Sequence, residues 1–146
     1  MKVVVQRVLS SSVTVDGKLI NQIDKGLNVL VGFSYGDTID DINYLVKKVT
    51  NLRIFDDENG VMNKSVVDVG GSILAISQFT LYGDAIKGNR PSYIEALKGE
   101  EAFPLYEKFC EELSEIVPTY KGVFGADMKV SILNDGPVTI LIESKK

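Results

Sequence analysis

Residues 3–17 read Val3-Val4-Val5-Gln6-Arg7-Val8-Leu9-Ser10-Ser11-Ser12-Val13-Thr14-Val15-Asp16-Gly17, and the fold class turns on how this stretch is read. Val3, Val5, Arg7 and Leu9 alternate with Val4, Gln6 and Val8, and Ser12 to Val15 keeps the alternation up to Asp16-Gly17, a dipeptide suited to a tight hairpin turn. Lys18 to Ile23 then returns as a second strand. Asp24-Lys25-Gly26 turns again, and Leu27 to Phe33 reads as a third, mostly buried strand.

From Asp37 the period changes. Ile39, Ile42, Leu45, Val46, Val49 and Leu52 recur at steps of three and four, the apolar face of a helix capped by Asp37 or Thr38. Asp56 to Gly60 is a polar turn, Gly70-Gly71 another, and Ser72 to Phe79 an apolar, β-rich run suited to a central strand. Residues 85–91 form a loop. A second helix is expected from about Pro104, a residue tolerated in a first turn, to the stop at Pro118. Two or three strands close the chain, over Lys121 to Phe124, Met128 to Leu133 and Val138 to Glu143. Strands interrupted by two amphipathic helices predict a mainly antiparallel α+β domain, one unit over residues 1–146.

Composition narrows the chemistry. The chain has 45% hydrophobic and 25% charged residues, ordinary for a globular domain. It has no histidine, which removes His-based triads, His general bases and most zinc hydrolase sites together. Its single cysteine, Cys110, forms neither a disulfide framework nor a thiolate metal cluster, and its place on the second helix's apolar stripe suits the core. Chemistry here must come from hydroxyls, carboxylates, Lys, backbone amides or the substrate itself. No metal and no cofactor is expected, and the dinucleotide and phosphate-loop fingerprints are missing.

Net charge is −4 and the sequence pI about 4.9, which disfavours a long DNA or RNA track but leaves room for contact with one RNA end. The charges of Lys2 and Arg7 cut the first apolar run too short for a signal peptide, and no stretch approaches the ~18 apolar residues of a membrane span. A cytoplasmic protein is expected.

Three segments carry candidate chemistry. Ser77-Gln78-Phe79-Thr80 ends the central strand, where outward-turned backbone amides would meet a developing oxyanion, although Ser77 and Thr80 equally suit a plain solvent-facing strand. Asn134-Asp135-Gly136-Pro137 reads either as a hairpin turn or as backbone brought close to a ligand. Lys87 and Arg90, near Tyr93, suit either a solvated loop or a phosphate contact.

Taken in order, Val5-Gln6-Arg7-Val8, Ser12 to Val15, Gly26-Leu27, Arg53-Ile54-Phe55, Met62-Asn63, Gly70-Gly71-Ser72, Ser77 to Leu81, Arg90 to Tyr93, Ala126-Asp127-Met128 and Asn134 to Thr139 resemble the D-aminoacyl-tRNA deacylase family, also called D-tyrosyl-tRNA deacylases. The resemblance spans essentially the whole chain. It implies a homodimer around an antiparallel sheet or barrel, with active sites at the subunit interface. It implies hydrolysis of the ester between a D-amino acid, or glycine, and the 3′-terminal adenosine of tRNA. Ser77, Gln78, Phe79 and Thr80 match the family pocket. Gly136 and Pro137 match its Gly-cis-Pro element, which reaches the other subunit's pocket and excludes L-amino acids. Arg7 matches a residue associated with holding that element, and Lys87 and Arg90 become candidate tRNA contacts. The family chemistry leans on the RNA 2′-hydroxyl, which suits a chain without a histidine base. A binder of small ligands or RNA ends on the same scaffold, without turnover, is the alternative.

Overall fold

A single long strand, β1 (Lys2–Val15), organises the protein, whose computed structural model describes residues 1–145. Its first half pairs antiparallel with β3 (Gly26–Gly32) and its second half with β2 (Lys18–Ile23), across the expected Asp16-Gly17 turn. Its other edge is paired nearly throughout by β8 (Lys129–Glu143), also antiparallel. Helix α1 (Ile39–Asn51) follows β3, and a small hairpin of β4 (Phe55–Asp56) and β5 (Met62–Lys64) flanks the polar turn. Then β6 (Ser72–Ser77), α2 (Gly99–Ser114) and β7 (Thr119–Lys121) complete the order.

The sheet runs β2-β1-β3-β6-β7, with β8 on β1. Antiparallel pairing predominates, but β6 runs parallel to β3 and β7 parallel to β6, because β6 and β7 are each reached through a helical crossover. Both helices lie on one face and pack on each other. There Ile42, Leu45 and Val49 of α1 and Phe109 and Leu113 of α2 join Val3, Val5, Val29 and Ile73 in the larger core. Full burial of each such side chain contributes about 1.5–3 kcal/mol. On the other face the sheet curls until β2 meets β7, where Asn21 Nδ2 donates to the Lys121 carbonyl at 2.7 Å. This nearly closed barrel holds a second core of Val8, Val13, Ile23, Leu74 and Ile76.

Three expectations change. Helix α2 begins at Gly99, five residues before Pro104, which is its sixth residue. The N–H that proline lacks would have served the carbonyl of exposed Glu100, which water can satisfy, so the early proline is tolerated. The strand expected over residues 121–124 lies at Thr119–Lys121. Asn134 to Pro137 makes no hairpin: β8 runs through it, and the irregularity is absorbed as shifts in the register with β1 near Val8. The Gly136–Pro137 peptide is cis.

Candidate active site

Strands β3 and β6 end side by side, as parallel neighbours must, and a cleft of about 640 Å³ opens beyond their carboxyl ends. Val31, Gly32 and Phe33 line it from β3, and Ser77, Gln78 and Phe79 from β6. The N-terminus of α2 (Lys98, Gly99), the segment Phe124 to Met128 and Tyr93 with Ala96 and Leu97 add further walls.

The local backbone sets the chemistry. The N–H of Gln78 extends the β3–β6 ladder by donating to the Val31 carbonyl at 2.7 Å, so it is not free for a ligand. The chain then breaks into a single 3-10 turn over Phe79–Tyr82, with the Leu81 N–H donating to the Gln78 carbonyl at 3.2 Å. The first N–H groups of such a turn have no partner within it. No acceptor among the described residues meets the N–H of Phe79 or Thr80. Thr80 Oγ1 accepts from Gln78 Nε2 at 2.5 Å, and among the described residues no carboxylate or amine is bonded to it. Of the expected backbone donors, Gln78 is therefore engaged, while Phe79 and Thr80 lie in the turn without such a partner.

Arg7 is buried and gathers the Gly136–Pro137 element. Its Nε donates to the Asp135 carbonyl at 3.1 Å and its Nη1 to the Ile54 carbonyl at 2.8 Å. The carboxylates of Asp135 and Asp56 lie 3.4 and 3.6 Å from the guanidinium. Asn134 Oδ1 accepts from the Val138 N–H at 3.2 Å, closing the element on its own strand. Gly136 and Pro137 do not line their own chain's cleft.

The other candidates separate. Lys87 and Arg90 are exposed on the loop beyond the Asp84–Ser92 bridge and do not line the cleft. Lys98, Tyr93 and Met128, which do line it, carried no site assignment from sequence. Tyr93 lay in the Arg90 to Tyr93 match and Met128 in the Ala126-Asp127-Met128 match, whereas no signal pointed to Lys98. Cys110 is buried and its thiol is pushed up to about 12 by that burial, which suits a core residue and not a nucleophile. Among the described residues no group of three or more His, Cys, Asp or Glu could hold a metal ion, and no helix is long and apolar enough to cross a membrane.

A mixed, nearly closed sheet with both helices on one face, and a cleft at the ends of two parallel strands, defines the class as small α+β domains with a nearly closed barrel. Within that class the family model described as D-Tyr-tRNA(Tyr) deacylase matches residues 4–143, and the chain belongs to this family. Curated D-aminoacyl-tRNA deacylases of Clostridium botulinum (strain Langeland) and Clostridium novyi (strain NT) are 63% and 62% identical to it, over 100% of this chain and 99% of each of theirs. A solved structure described as c-Myc DNA Unwinding Element Binding Protein is similar at a TM-score of 0.95 and 45% identity, covering 100% of both chains. Another, described as a probable eukaryotic D-amino acid tRNA deacylase, is similar in fold at a TM-score of 0.83 and 17% identity, covering 97% of this chain and 98% of that one.

Proposed function

We propose that this protein hydrolyses the ester linking a D-amino acid, or glycine, to the terminal adenosine of tRNA. Water adds to the ester carbonyl, the bond to the ribose 3′ oxygen breaks, and that oxygen takes up a proton. The observation that carries this reading is the pair of acceptor-free N–H groups at Phe79 and Thr80 beside the cleft, in a chain matched end to end by curated deacylases. Each such donor aimed at a developing oxyanion is worth about 10²–10³ in rate. Thr80 positions water or substrate and is not the nucleophile, since among the described residues the only partner of its hydroxyl is an amide. The substrate's 2′-hydroxyl, adjacent to the ester, assists the proton movement that no side chain here supplies.

Selection by chirality works by exclusion. The Gly136–Pro137 element of a second copy closes the cleft and leaves space for hydrogen, not for an L side chain, at the α-carbon. Arg7 fixes the element from behind, and Lys87 and Arg90 meet the RNA backbone outside the cleft. The second reading, nucleic-acid binding without turnover, draws on the name of the 45% identical structural neighbour. A net charge of −4 weighs against an extended nucleic-acid track.

Deacylation of matched D- and L-tyrosyl-tRNA in substrate excess tests both readings. Multiple turnovers on the D-ester alone are expected, with a large rate loss when the terminal 2′-hydroxyl is replaced by hydrogen. Similar rates on both esters would end the chiral assignment, and stoichiometric protection without release would favour the binder.

A further inference from the structure

Phe79 is 57% exposed and lines the cleft, and its ring packs against Tyr93, with centroids 5.2 Å apart and planes at 71°. Neither ring belongs to either apolar core, so core packing does not explain the pair. Tyr93 is held from both sides. Before it, Asp84 and Ser92 exchange two backbone hydrogen bonds of 2.8 Å. After it, the Ala96 N–H donates to the Tyr93 carbonyl and the Leu97 N–H to the Phe33 carbonyl, both at 3.0 Å. The Tyr93 ring also lies so near Gly83, just past the 3-10 turn, that a Cβ there would come within 3.0 Å of it. Residues 84–97 thus form a strap that presses one aromatic ring onto the turn carrying the other.

An exposed aromatic residue beside a cleft that handles an unpaired RNA end is suited to stacking on a base. Stacking needs the ring to be still before the base arrives, because ordering it on binding subtracts from affinity. We infer that Tyr93 is a positioning residue that holds the Phe79 ring as a platform for the terminal base of the acylated RNA. The inference rests on the reading of that RNA end as the substrate. Tyr93 acts through Phe79 and takes no part in bond breaking.

Calorimetric titration with a non-hydrolysable D-tyrosyl amide of 3′-amino-3′-deoxyadenosine reads the platform without turnover. Phe79→Ala is expected to weaken binding about tenfold or more, as loss of base stacking does. Tyr93→Ala is expected to weaken it about three- to tenfold, the scale of one aromatic pair. Tyr93→Phe should stay within about twofold, since the ring and not the hydroxyl makes the contact. The double variant should bind no more weakly than Phe79→Ala alone, because the platform is then already gone. With D-tyrosyl-tRNA, Tyr93→Ala should raise KM and leave kcat within about twofold. Should Tyr93→Ala fail to fold by circular dichroism, Tyr93→Leu carries the same expectations. Independent, multiplying losses in the double variant would overturn the inference, as would a kcat loss at unchanged KM or a wild type that does not bind the analogue. A wild type that binds it with this pattern of variants but releases no amino acid from the ester refutes the proposed reaction and supports the platform.

Discussion

Gly136 has φ +122°, a backbone conformation that L side chains rarely adopt, and a Cβ built there would lie 2.8 Å from Arg7 Nη2 and 3.0 Å from Val138 Cγ2. Either the guanidinium or the strand must give way. Arg7 is anchored by two carbonyls and two nearby carboxylates, so moving it disturbs the element it holds. Gly136→Ala should therefore destabilise the fold by about 1–3 kcal/mol, read by chemical denaturation. It should also lower D-tyrosyl-tRNA deacylation by about tenfold or more, with no efficient L-activity gained, since a 1.4 kcal/mol shift in transition-state positioning is already tenfold. Wild-type rates in this variant would remove Gly136 from the site. Thr80 predicts the reverse. With an amide as its only partner among the described residues, Thr80→Ala should keep activity within about tenfold, the scale of one lost hydrogen bond of up to about 1.5 kcal/mol. A trapped acyl group on the Thr80 hydroxyl would contradict that.

At the scale of elements, α1 shows how local chemistry fixes an end. Thr38 accepts from the Asp40 N–H at 3.3 Å, and Asp41 accepts from the Thr38 N–H at 2.8 Å, a reciprocal capping box. Burial pushes the Asp41 carboxyl up, but the Thr38 N–H, the Ser144 side chain and the Lys145 ammonium outweigh it and hold its pKa below the usual 3.8. A carboxyl depressed in the folded state adds stability above its unfolded pKa, about 3.9, and loses it as pH falls through the folded value. Asp41→Asn should accordingly lower stability near neutral pH by about 0.5–2 kcal/mol, and the difference from wild type should shrink below pH 4. Thermal melts between pH 2.5 and 7 measure both, and a gap that does not depend on pH would refute the assignment. The periods of both helices were legible from their spacing of apolar residues, and Thr38 was one of the two expected caps. The start of α2 was not, because a proline reads as a boundary while an exposed carbonyl at Glu100 tolerates it.

For the whole molecule, the two halves of the proposed site lie apart within one chain. Phe79 lines the cleft beyond β3 and β6, with Thr80 next to it in the turn, whereas Gly136 and Pro137 sit on β8 beside Arg7 and outside that lining. If each cleft is completed by a second copy, solution scattering should give twice the 16.0 kDa chain mass at working concentrations. Mixing Gly136→Ala protein with a variant whose Ser77–Phe79 backbone is disrupted should restore part of the activity, because one hybrid site would then receive both intact halves. A fully active monomer, or mixtures no better than their components, would show that the site is built within one chain.

The alternation from Val3 to Val15, the turn at Asp16-Gly17 and the helical period from Ile39 each depend on neighbours along the chain, so the sequence alone determined these elements. It also determined what the chemistry lacks, since the absence of histidine is a property of composition. Ser77 to Thr80 and Gly136-Pro137 stood out as segments, but their arrangement did not. Asn134 to Pro137 has the composition of a hairpin turn, and only the pairing of its flanks with β1, at Asn134 and from Thr139 onward, holds it in one strand. The parallel run β3-β6-β7 depends on contacts between residues tens of positions apart, and it is what aligns the strand ends into a cleft. Tertiary structure decided which amides stay free, because the Val31 carbonyl takes the Gln78 N–H while the turn behind it leaves those of Phe79 and Thr80 without a partner.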